Sequence, residues 1–150
     1  MATNGKLRVF FDADVLLSAA APRSRQSASF ILLQLAELTL LEGLCCPFVI
    51  EQAQRNCRKF LSKVPEIEAE FLRLQQAALA AVPDPPSDRL RALAHVAHDK
   101  DLPVLAAAVD SGCRYLVTRN VRHYPSRVAN LEVVEPGRLV RRIRSHIALL

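Results

Sequence analysis

The sequence predicts an α/β domain built on a mainly parallel sheet, and three observations carry that prediction. Short apolar runs such as Leu7 to Phe11 and Tyr115 to Val117 alternate with stretches whose apolar residues recur at helical spacing. Between Asp99 and Asn120 a helix, a tight turn and a strand follow one another directly, which is half of a strand–helix–strand unit. The 150 residues are 51% hydrophobic and 23% charged, the balance of a packed globule. A chain of this length is expected to form one domain, residues 1–150, and to bury about 68–70% of its unfolded surface.

Leu7 to Phe11 is apolar enough to be a central parallel strand, and it ends in Asp12-Ala-Asp14. Residues 22–27 form a basic loop, followed by a helix from about Ser27 to Glu37 that is apolar over much of its surface. Leu40 to Cys46 reads as a second strand, ended by Pro47. Phe48 to Val64 is helical, with Ala53, Cys57, Phe60, Leu61 and Val64 forming its apolar stripe. Pro65 opens another helix to about Leu79, and Ala80 to Val82 makes a short strand at best. The segment Pro83 to Asp88 is a surface loop, and Leu90, Leu93, Ala94 and Ala97 return to helical spacing.

Asp101 is placed to cap the next helix, Pro103 costs nothing in its first turn, and Gly112 suits its C-terminal end. Tyr115 to Val117 then closes on Thr118-Arg119-Asn120. Asn130 to Val134 is a last strand. Pro136 onward is a basic amphipathic helix whose Leu139, Val140, Ile143 and Ile147 dock on the sheet rather than on a membrane.

The composition bounds the setting. The N-terminus has no apolar stretch of a secretory signal, and no run approaches the ~20 apolar residues of a membrane span. The four cysteines have no C-x-x-C spacing and read as buried small hydrophobes in a reducing cytoplasm. The net charge is +5, carried by sixteen Arg and four Lys. Beyond Asp110 there are eight Arg against Glu132 and Glu135, which points toward an anionic partner. High-GC coding accounts equally well for the arginine excess.

Three acids recur at similar places: Asp12 after a strand, Glu51 in a first helical turn, and Asp101 heading a helix. Converging carboxylates repel unless a cation neutralises them. An all-oxygen set without paired Cys or His selects Mg²⁺ or Mn²⁺, which can activate water against a phosphodiester. Each acid also has a plainer explanation. Asp12 or Asp14 can cap the helix that follows, and Glu51 can pair with Arg55 at i,i+4. Asp110 lies half a revolution from Asp101 (nine residues at about 100° each) and is excluded. His95 and His98 have no third ligand to make a zinc site.

In four segments the chain resembles the PIN-domain nucleases, a family that includes the toxins of VapBC-type toxin–antitoxin pairs. The segments are Val9 to Ser18, Cys46 to Glu51, Asp99 to Ala108 and Leu116 to Pro125, in the family's order. The resemblance implies a three-layer α/β/α sandwich in which Asp12, Glu51 and Asp101 bind the metal. It also implies metal-dependent hydrolysis of RNA. Asn120 stands where many members carry a fourth acid, a Thr-x-Asn pattern used in some branches, and it joins the three acids as a candidate catalytic residue. Asp14, Asp99 and Thr118 are expected to support the set, and Arg119, Arg122 and His123 to contact RNA backbone.

The expected partners are an RNA substrate, an antitoxin protein and a second copy in a homodimer. Two rivals remain open from the sequence. One is a PIN fold kept as an RNA-binding module with impaired catalysis. The other is a haloacid-dehalogenase-like phosphatase, in which Asp12 would be a covalent nucleophile and Asp14 a general acid.

Overall fold

Val9, Phe10 and Phe11 are wholly buried, so the first strand is the centre of the molecule. A computed structural model describes residues 5–21, 27–60, 63 and 65–150. In chain order its first elements are β1 (Arg8–Phe11), α1 (Ala13–Ala20), α2 (Ala28–Glu37), β2 (Glu42–Cys45), α3 (Pro47–Phe60), α4 (Ile67–Ala78) and β3 (Leu79–Ala81). There follow α5 (Ser87–Ala92), α6 (Leu102–Asp110), β4 (Tyr115–Val117), a 3₁₀ turn (Val121–His123), β5 (Arg127–Val128), β6 (Leu131–Val134) and α7 (Pro136–Ala148).

The strands form one sheet in the order β3-β2-β1-β4-β6-β5. Every pairing is parallel except that of β5 with β6. Strand β4 is buried throughout, which is why it shows no polar alternation. From β1 the chain steps to β2 and then β3 on one side, and returns across the sheet to β4 on the other. Right-handed crossovers place helices made in opposite steps on opposite faces. Helices α1 to α4 accordingly pack on one another, with α7 against α2, while α5 packs with α6. The result is the mainly parallel α/β domain read from the sequence, in the α/β/α sandwich that the resemblance implies. The reversal between β1 and β4 is a topological switch point, where sheets of this kind bind ligands beyond their strand ends.

Several local expectations shift. Leu40 is 66% exposed and the second strand begins only at Glu42. The buried stripe of α3 is Val49, Ala53 and Cys57, while Phe60 is 42% exposed. Leu61 and Val64, and the basic loop at 22–26, lie outside the described residues. The helix expected through Ala97 ends at Ala92, after which the chain turns through i→i−3 bonds such as Val96 N–H to Leu93 O. Gly112 does end α6, at φ 73°, with Cys113 N–H donating back to Ala108 O.

Gly43 in β2 is needed for a close approach. A Cβ there would lie 2.8 Å from Ala78 O and 3.2 Å from the Phe11 ring. Helix α7 docks through its first half: Leu139 is buried, Val140 and Ile143 are half-buried, and Ile147 is 60% exposed. No helix among the described residues is long and apolar enough to cross a membrane.

Candidate active site

The switch point puts two consecutive strand ends side by side. Asp12 N–H donates to Val117 O at 3.0 Å, and Thr118 N–H to Val134 O at 3.0 Å, so each residue extends the ladder by one rung. This backbone register, not the side chains, brings Asp12 against Thr118. Asp12 caps α1, with Oδ1 accepting Ala13 N–H at 2.8 Å. Its Oδ2 accepts the Thr118 hydroxyl at 2.9 Å and the Tyr124 phenol at 3.2 Å. Burial raises the Asp12 pKa above the usual carboxylate value, against the lowering effect of these hydrogen bonds, and the charge of Asp101 adds to the rise.

Asp101 heads α6 but does not cap it, which corrects the expectation from sequence. It is buried, and its Oδ2 has no hydrogen-bond partner among the described residues. A carboxylate in that state is costly, and such atoms in native structures call for an explanation. Asp14 turns the other way, toward the loop after β4. It accepts Arg119 N–H at 3.1 Å and the Asn120 amide at 2.9 Å. Burial, and then the charge of Asp12, push its pKa up to about 6.

Asp12, Asp14, Asp101, Asn120 and His123 line one hollow of about 390 Å³. Tyr124, which the sequence pattern does not single out, lines it too. Its hydroxyl is held protonated well above the ordinary tyrosine value, by burial and by the charges of Asp12 and Asp101, so it remains a donor to Asp12. The one signal that could have found it is its place just beyond the polar strand end.

Other expected residues are placed elsewhere. Glu51 is exposed on α3 and does not line the hollow; Gln52 does. The two lie about 100° apart around the helix, and the buried stripe of Val49, Ala53 and Cys57 sets which one faces inward. The Glu51–Arg55 ion pair does not form among the described residues, and Arg55 faces the hollow instead. Asp99 is exposed and outside it, while its neighbour Lys100 lines it. Arg119 lines a separate hollow with Ser27, Ser29 and Gly137, and Arg122 is exposed. Asp110, excluded from the sequence, pairs with Arg89 at 2.8 Å.

The oxygen donors facing the hollow suit a hard divalent cation, and the orphaned Asp101 Oδ2 is an atom such a cation would satisfy. As placed, no three His, Cys, Asp or Glu side chains among the described residues form a metal-holding group. Glu51's absence from the hollow is the main reason this set falls short of the one expected.

In fold, the chain is similar to a chain of VapBC2 from Rickettsia felis, solved bound to a DNA fragment from their promoter. The TM-score is 0.62 at 17% identity, over 86% of this chain and 98% of that one. It is similar likewise to PAE2754 from Pyrobaculum aerophilum, with a TM-score of 0.64 at 15% identity, over 93% of this chain and 96% of the other. No curated protein matches the sequence. A PIN-domain family model matches residues 8–122, most of the chain and all three buried or half-buried acids of the site, and the protein belongs to the PIN-domain family.

Proposed function

We propose that this protein is a metal-dependent endoribonuclease that hydrolyses RNA phosphodiesters, working in the cytoplasm as the toxin of a toxin–antitoxin pair. Family membership supports the nuclease class, and the fold likeness to a VapBC2 chain supports the paired setting. The observation that carries the reading is Asp101, which lines the same hollow as Asp12 with its Oδ2 buried and without a partner among the described residues. The cofactor is Mg²⁺ or Mn²⁺, with Asp12 and Asp101 as its protein ligands and Asp14 beside them. When bound, such a cation supplies Lewis acidity toward a phosphoryl oxygen and activates water.

The chain's own groups have separable tasks. Thr118 and Tyr124 donate to one oxygen of Asp12 and so fix the rotation of its carboxylate. Asn120 holds Asp14 through its amide, and its backbone N–H donates to the Thr118 hydroxyl at 3.1 Å, which ties the loop after β4 to the acids. Arg55 and Lys100 supply cationic groups around the hollow toward a phosphate, and His123 lines it beside them.

The second reading, a PIN fold that binds RNA with impaired catalysis, is favoured by one observation: α3 offers Gln52 rather than Glu51 to the hollow. One assay separates the two. Purified protein with single-stranded RNA is expected to cleave in Mn²⁺ or Mg²⁺, stop in EDTA, and lose most activity in Asp101→Asn. Cleavage that survives EDTA or Asp101→Asn overturns the nuclease site. Salt-dependent binding without cleavage in either metal establishes the binding module instead.

A further inference from the structure

The hollow has a second wall that the acids do not explain. Phe48, Gln52, Arg55 and Asn56 lie at i, i+4, i+7 and i+8 of α3, a single helical stripe beside the buried one, and all four face the hollow. The stripe is anchored where it begins, because Asp84, from a distant proline-rich loop, accepts Phe48 N–H at 3.0 Å. Its polar members are uncommitted. Neither the Gln52 nor the Asn56 amide makes a hydrogen bond among the described residues, and Arg55 has no carboxylate partner there. A divalent cation can take an amide oxygen, but it has no use for an aromatic ring or a guanidinium. One nucleotide uses all of them: the ring stacks on its base, an amide matches a donor–acceptor base edge, and the guanidinium meets phosphate.

We infer that this stripe of α3 holds one unpaired nucleotide of a single-stranded RNA next to the phosphodiester the acids act on. Phe48 stacks on the base, Gln52 and Asn56 read its edge, and Arg55 with Lys100 across the hollow holds the adjoining phosphate. Duplex RNA is rejected, because paired bases present neither a free face to Phe48 nor a free Watson–Crick edge to the amides. The inference rests on RNA as the ligand of the site, and it adds base selectivity to that reading.

The test is equilibrium binding in EDTA, with fluorescent 12-nucleotide single-stranded RNAs that vary one central base, and the same RNAs annealed to their complements. Wild type is expected to prefer single strands about tenfold and to favour one base at one position. The double variant Gln52→Ala with Asn56→Ala is expected to lose the base preference while keeping single-strand binding. Phe48→Leu is expected to weaken binding about tenfold and Phe48→Tyr to restore it. Should Phe48→Leu fail to fold, the double amide variant decides the outcome alone. Equal affinity for single strand and duplex, or a base preference that persists in the double variant, overturns the proposal. Base-selective binding without cleavage in Mn²⁺ overturns only the nuclease reading, whereas cleavage without base-selective binding overturns only this one.

Discussion

Asp12 and Asp101 are both buried acids, yet their hydrogen bonding predicts opposite relations to stability. Asp12 receives three hydrogen bonds, from Ala13, Thr118 and Tyr124, whereas Asp101 keeps one oxygen without any among the described residues. Removing a donor from Asp12 therefore costs stability. Tyr124→Phe is expected to destabilise the metal-free protein by about 1 kcal/mol in thermal or urea unfolding, and an unchanged midpoint would show that the phenol does not hold the acid. Removing the charge at Asp101 works the other way. Asp101→Asn takes a negative group from beside Asp12 in the low-dielectric hollow, so metal-free stability is expected to stay level or rise while metal response is lost. A variant that gains stability as it loses function marks a residue kept for chemistry. A large loss of metal-free stability in Asp101→Asn would instead make Asp101 structural.

At the scale of elements, β2 and β6 each carry one position on which a neighbour depends. Gly43 in β2 lets Ala78 O and the Phe11 ring come within the distance a methyl group would fill. Gly43→Ala is expected to cost about 1–3 kcal/mol by overpacking, read from the unfolding midpoint; a neutral result would mean β2 and α4 can separate cheaply. Glu132 in β6 joins the last strand to α7, meeting Arg142 at 2.9 Å, and it also meets Arg127 at 3.1 Å. Arg142 holds the Glu132 pKa below the usual carboxylate value. A lowered folded pKa contributes stability above the unfolded pKa, and that contribution is lost as pH falls through the folded value. Wild type is expected to lose melting temperature through roughly pH 5 to 3, and Glu132→Gln to show a shallower acid limb over that range. Parallel limbs would show the pair contributes nothing measurable, the usual fate of exposed ion pairs.

For the whole molecule the decisive quantity is linkage between folding and the cation. The acids of the hollow come from the starts of α1 and α6, and its amides from α3 and the loop after β4, so the unfolded chain has no such arrangement. A ligand that binds only the folded state stabilises it by about 2.7 kcal/mol at a hundred times its dissociation constant, roughly 5–10 °C in a domain of this size. Mn²⁺ is expected to raise the wild-type melting temperature on that order and to leave Asp101→Asn unmoved. An equal shift in both would place the ion elsewhere.

The sequence by itself determined most of the order of elements, missing only the short antiparallel β5 and the 3₁₀ turn before it. It also determined the buried β1, the glycine stop of α6 and the two acids, Asp12 and Asp101, that the hollow brings together. Each of these is a local signal: an apolar run, a helical period, a glycine after a helix, or a carboxylate at an element boundary. Tertiary structure alone decided which residue of α3 faces the site. A period of 3.6 residues states that a helix has faces, but only the packing of Val49, Ala53 and Cys57 sets its rotation, and that rotation turns Gln52 in and Glu51 out. It also decided that Asp84 anchors α3 from 36 residues away, and that Tyr124 bonds Asp12 across 112. Contacts made over such separations leave no periodicity in the chain, since they exist only once the sheet has brought its strand ends together.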